Sequence, residues 1–320
     1  MSLVRRLSPL FAVLGLAALA AFSSGAMEGA RRGLDACAAV LIPSLFPFFI
    51  VSALLRSSGA VHALARSASG AMPRAFGVPG CCAAALMLGL AGGYPIGAAT
   101  LAALVRSGDL QAEDASRALA FCNCSGPAFL IGAAGAGVFA SPAAGALLYA
   151  SHIASALLAG LILRPRRGGV RPSAPVAPPE PQPGAFTEAV AGAVRSMLTV
   201  CGYVVAFSAL TGALEAAGVF SRLAGDLAVR TGLGLKLSRA LLTGFFELGG
   251  GLSALSGAGL TPLSLACASL LAAWGGLSVH FQTAAVFAGT GVSLRRHTAG
   301  KLLAAVLSAA ITLLSARFIL

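Results

Sequence analysis

Four short stretches place polar or backbone-breaking residues inside otherwise apolar sequence, and each offers a particular chemistry. In LAGGYPIG, Gly93, Tyr94, Pro95 and Gly97 stand in mid-run. Proline has no N–H to give a helix and glycine relaxes the backbone, so a helix is expected to break there. In FCNCSGP, Asn123 and Ser125 bring hydrogen-bonding side chains beside Gly126 and Pro127. Half-helix N-termini at such breaks offer unpaired N–H donors, which suit an anion. GFFELGGGLSALSGAG carries Glu247 among aromatics and glycines, and GGLSVHFQ carries Ser278, His280 and Gln282. Glu247 is suited to bind a coupling proton or cation, or to accept a hydrogen bond from a substrate. His280 is suited to donate to an anionic substrate or to relay protons. The alternation of Ser278, His280 and Gln282 fits an extended crossing stretch better than one helix face. Plainer readings stand beside these: kinks and close-packing glycines, a wet interfacial Glu247 and a packing His280.

The other candidates are read as structural. His62, His152 and His297 are expected to pack, and Asp109, Glu113, Asp114 and Arg117 to form a solvated, helix-start-like loop. The seven cysteines lie almost wholly in apolar runs, and Cys122 and Cys124 have no second pair at ligand spacing, so neither a disulfide framework nor a metal site is expected. No nucleophile elbow, nucleotide-binding loop, zinc-protease motif or paired-carboxylate spacing appears. The chain is therefore read as no enzyme, with no catalytic residue, metal or cofactor.

The elements that must position these residues follow from composition. Hydrophobic residues make up 58% of the 320 and charged residues only 10%, with mean hydropathy +0.89. A soluble domain carries about 25% charged residues. Apolar runs recur near 7–26, 36–55, 82–105, 118–140, 143–163, 189–214, 240–257, 263–290 and 300–320. Most reach the ~20 residues that span hydrocarbon as a helix. The expected fold is an all-α, polytopic helical protein of the bacterial cell membrane. The net charge of +12 is scattered in pairs such as Arg5-Arg6, Arg31-Arg32 and Arg295-Arg296, with Lys301 close behind, as topology determinants are. Nucleic acid is therefore excluded as a partner. The start of the chain resembles a secretory signal and is read as an uncleaved first helix.

A basic, proline-rich stretch divides the chain. The expected layout is a helix and loop over 1–35, a membrane repeat over 36–163, a cytoplasmic linker over 164–188 and a second repeat over 189–320. An offset of 157 relates Gly93 to Gly250, Asn123 to His280 and Leu163 to Leu320. If the linker and the Arg295-Arg296 cluster are both cytoplasmic, the closing spans run oppositely, as in an inverted-topology repeat with interrupted helices. The basic stretches 56–80 and 215–239 are read as amphipathic interfacial segments.

LIPSLFPFFIVSALL, GLAGGYPIGA, FCNCSGPAFLIGAAGAGVF and WGGLSVHFQ closely resemble the YlbJ-type family of sporulation integral membrane proteins, in the nucleoside-recognition or Gate-domain group. The likeness runs from about residue 36 to the C-terminus. It implies a carrier of dipicolinic acid across the outer forespore membrane, with half-helix N-termini, Asn123, Ser125 and His280 as contacts for the flat dianion. The chain departs from the family pattern at Ala99, where a lysine is expected, and at Cys124, where a second asparagine is. The implied partners are this small organic anion and the lipid bilayer, with self-association into a homo-oligomer left open. The alternatives are a carrier of another carboxylate or nucleoside-like solute, and a non-transporting scaffold or sensor in spore assembly.

Overall fold

The computed structural model describes residues 13, 15–59, 63, 66–68, 70–164 and 184–318. Arg5-Arg6, the start of the first apolar run, His62, residues 165–183 of the basic linker and Leu320 lie outside them. Among the described residues the chain is helical, with no strand. Five helices are long and apolar enough to cross a membrane: Ser23–Leu55, Pro142–Ile162, Ala185–Ala216, Pro262–Val286 and Arg295–Phe318.

The first of these is one rod. α1 (Ser23–Ala36) passes through a π-helical turn at Cys37–Leu41 into α2 (Ile42–Ser57). The stretch expected as helix and loop over 1–35 is thus helical from Ser23 onwards. Gly25, Gly29 and Gly33 recur every four residues, which puts them on one face. That face meets α8 (Ala185–Ala216) with no room for side chains: a Cβ on Gly29 would lie 2.1 Å from the Ser208 carbonyl oxygen, and one on Gly25 2.7 Å from that of Gly212. Small residues let two helices pack backbone against backbone where lipid offers no hydrophobic drive. The pairing of Gly25 with Ala216 and of Cys37 with Cys201 makes the two antiparallel.

Between these rods the chain is broken. The first half continues with α3 (Ala71–Phe76), α4 (Cys82–Gly92), α5 (Ile96–Arg106) and α6 (Ala112–Cys122). The π-helix Ala128–Val138 and α7 (Pro142–Ile162) complete it. The second half has α9 (Val219–Thr231), α10 (Leu235–Phe246), α11 (Leu248–Ser253), α12 (Pro262–Trp274), α13 (Gly276–Val286) and α14 (Arg295–Ser315). Local signals set several starts. Ser141 accepts from the Ala144 N–H ahead of α7, Thr261 and Ser264 form a capping box on α12, and both helices have proline in their first turn.

Several helix bounds in the two halves match at an offset of 153. α4 and α10 start at 82 and 235, while α7 and α14 run over 142–162 and 295–315, 21 residues each. The offset of 157 matched glycines by type, whereas the backbone breaks sit four residues closer. At 153, Tyr94 answers to Glu247 and Ser125 to Ser278. Asn123 and His280 do not pair at this offset. α7 and α14 lie antiparallel, because Ala144 and Leu148 share a core cluster with Ala316 while Ala159 packs with Ala304 and Ala305. Hydroxyls tie α12 to α14, with Ser269 and Ser308 oxygens 2.6 Å apart and Thr312 donating to Ser269 at 2.8 Å.

Of the segment expected as a solvated, helix-start-like loop, Glu113, Asp114 and Arg117 lie in the opening turns of α6, with Glu113 exposed. Asp114 is buried and its carboxylate receives Arg117 at 2.9 Å, one turn along the same helix. Pairing at i, i+3 lets this face of the helix pack without an isolated charge.

Candidate substrate cavity

In each half the two breaks touch. Gly93 ends α4 at φ +85°, and a Cβ on it would stand 2.8 Å from the Gly126 nitrogen; one on Gly126 would stand 2.9 Å from that of Gly93. In the second half Gly276, at φ +76°, brings the same imagined atom 3.0 Å from the Leu248 nitrogen. Only glycine accepts this left-handed backbone and this approach. The two pairs of breaks then meet, with the ring of Tyr94 against Gly275 at 3.5 Å from a Cβ position.

A cavity of about 800 Å³ opens on that meeting point. Its floor is Gly93, Tyr94, Ser125 and Gly126 from the first half and Glu247, Ser278 and Gln282 from the second. Towards its other end stand Arg32, Lys236, Arg239 and Glu215. Glu215 pairs with Arg239 and lies 3.6 Å from Arg32, so one carboxylate joins α1, α8 and α10. The volume is within the ~300–1,000 Å³ of small-molecule sites.

The floor carries unsatisfied polar atoms. The hydroxyls of Ser125 and Ser278, each on a residue 1% exposed, have no hydrogen-bond partner among the described residues. Buried hydroxyls are ordinarily bonded, so an unpartnered pair on the wall of a cavity marks where a ligand can be held. Glu247 is spent differently. Its carboxylate accepts from the N–H groups of Gly249 at 2.8 Å and Gly250 at 2.5 Å, capping α11 from within the chain. No side chain caps α5, the helix in the equivalent place.

The remaining expected residues lie off this wall. The Asn123 amide donates to Thr283 at 3.0 Å and its side-chain oxygen has no partner among the described residues. Gly97 packs on the Cys122 carbonyl, which a Cβ would meet at 1.9 Å. Pro127 precedes the π-helix, and Pro95 lines a smaller neighbouring cavity. Residues 276–286 form a helix rather than an extended stretch. Ser278 and Gln282, one turn apart, therefore share the cavity face, while His280 turns to Trp274 and His297 with ring centroids 4.2 and 4.9 Å away.

Two side chains at this crossing escaped the sequence reading. Lys301, grouped there with Arg295 and Arg296 as a topology determinant, is buried at 2% exposure. Its ammonium donates to the Tyr94 hydroxyl and, at 3.0 Å, to the Asn123 carbonyl, with its nitrogen 4.5 Å from the Tyr94 ring centre. No carboxylate among the described residues pairs with it. A cation inside an apolar run was the available signal. His152, read as packing, accepts from the Ser125 N–H at 2.9 Å and so fixes the break it faces. The Tyr94 hydroxyl in turn donates to the Ala272 carbonyl at 3.0 Å, tying the first half's break to α12.

Residues 38–142 match the Gate family. That family is described as nucleoside recognition, and the Gate region here spans both breaks of the first half. Over 312 residues the chain is 28% identical to the sporulation integral membrane protein YlbJ of Bacillus subtilis (strain 168), covering 90% of this chain and 76% of the relative. The likeness thus extends past the Gate region into the second half. No solved structure matches the chain.

Proposed function

We propose that the chain is a membrane carrier for a small organic anion, built as two inverted repeats over 36–163 and 189–320, whose broken helices share one binding site. The observation that carries this reading is the cavity floored by equivalent breaks from both halves, with Ser125 and Ser278 unpartnered on it. Antiparallel α7 and α14 support the inversion, and sites at the interface of such repeats are how many carriers hold their cargo at the midplane. Gly93, Tyr94, Ser125, Gly126, Ser278 and Gln282 contact the cargo. Lys301, behind Tyr94, supplies positive potential, taking the place of the cation absent at Ala99. Glu247 is the coupling group, the carboxylate on the floor.

The cargo is dipicolinate and the location the outer forespore membrane. This rests on the family resemblance and on the relative's description as a sporulation protein. Uptake of dipicolinate into liposomes by the purified chain tests it: saturable uptake, weakened about thirtyfold in a Ser125→Ala/Ser278→Ala double variant, is expected for the loss of two hydrogen bonds of ~1 kcal/mol each. Absence of uptake under any imposed ion gradient would reject the cargo. The Gate description favours a second reading, a nucleoside-like solute. Under it, nucleosides and not dipicolinate would be taken up and would compete with one another.

A further inference from the structure

The smaller cavity beside Pro95 holds about 270 Å³ and is lined by Arg195, Ser196 and Thr199 of α8 with Phe49, Ala99 and Ala285. Two residues, Val200 and Gln282, line both this cavity and the large one. Along α8 the two linings form one stripe. Arg195, Ser196 and Thr199 face the small cavity, Val200 both, and Val204, Ser208, Thr211 and Glu215 the large one. At about 1.5 Å per residue the stripe from Arg195 to Glu215 is about 30 Å long, the thickness of the hydrocarbon core. It has a charged residue at each end and hydroxyls on both sides of a short apolar step.

We propose that the small cavity is the vestibule of the opposite membrane face, a second anion site at Arg195, Ser196 and Thr199, separated from the main site only by the layer of Val200 and Gln282. This rests on the carrier reading and deepens it. Arg195 attracts the anion, and the Ser196 and Thr199 hydroxyls, now bonded to the carbonyls of Gly192 and Arg195 at 2.9 Å, can turn to it. The side chain of Gln282 lies on the same helix face as Ser278, so cargo held by Ser278 is one helical turn from the layer that bars its exit.

The test is accessibility to a charged, membrane-impermeant maleimide in sealed vesicles of both orientations. Thr199→Cys and Ser253→Cys, both at exposed positions on the two cavities, are compared with the parent chain as background. Thr199→Cys is expected to react from one face, Ser253→Cys from the other, and the anion to slow both at least about twofold. Reaction of both from the same face would overturn the proposal. So would reaction of Thr199→Cys with a lipid-soluble maleimide alone, which would place it against lipid. Because labelling needs no knowledge of the cargo, opposite-face reaction without dipicolinate uptake would retain the path and reject the cargo. Same-face reaction with intact uptake would retain the carrier and reject the path.

Discussion

Tyr94 and Glu247 each stand just past the end of a helix, α4 and α10, and each on the cavity floor, yet their chemistry is opposite. Tyr94 presents a neutral ring backed by the Lys301 ammonium. Glu247 presents a carboxylate already held by two backbone N–H groups. One break thus has a cation behind it and the other an anion in it. The breaks need only glycine geometry and leave side chains free to diverge.

The sharpest way to break the comparison is to remove what the halves share. Gly126→Val and Gly276→Val each drive a side chain into the partner break, at a cost of ~4 kcal/mol or more. Both should lose most of the monodisperse protein on size-exclusion chromatography, and a variant that stayed folded would show that the breaks do not need backbone contact.

The differences come next. Lys301→Met keeps the length and packing of the side chain while removing a buried cation, an exchange that is often neutral or stabilising. Anion uptake should fall about tenfold, the equivalent of ~1.4 kcal/mol, with the melting temperature held or raised. A parallel loss of stability would make Lys301 a structural post only. Glu247→Ala should do the reverse on stability, because Gly249 and Gly250 lose their acceptor; capping losses of this kind cost about 0.5–2 kcal/mol. Glu247→Gln, which keeps an acceptor oxygen, should recover part of that in thermal unfolding but not any dependence of uptake on an imposed proton gradient. The smallest effects belong to the pair that is alike. Ser125→Ala and Ser278→Ala should each raise KM about fivefold or less, the worth of one neutral hydrogen bond, and should do so equally. Unequal values would show that the cargo sits off the axis between the halves.

What was readable in advance is what local chemistry dictates. Proline and glycine clustered within an apolar run favour a helix break, so Gly93, Pro95, Gly126 and the Glu247 region announced themselves, and the apolar runs announced the bilayer. The secondary structure around Ser278 was misread because positions 278, 280 and 282 alternate and also contain an i, i+4 pair; helix α13 uses the pair and turns His280 away. Lys301 was hidden by its neighbours, since charge counted near Arg295 and Arg296 looks like topology until the side chain is seen to reach Tyr94. The offset of 153 between helix bounds was hidden because glycines are plentiful and interchangeable, while Ser125 and Ser278, which also stand 153 apart, are single residues. The spacing of Gly25, Gly29 and Gly33 was legible in principle and passed unread, because it signals contact with a partner helix rather than chemistry.

That glycine seam has a mechanical consequence. Where backbones touch without intervening side chains, repulsion rises steeply with any shift and there are no rotamers to absorb one. α1 and α8 are thereby riveted into a single stave, and α8 is a wall of both cavities. With that wall stationary, passage of a solute requires the broken helices to move past it.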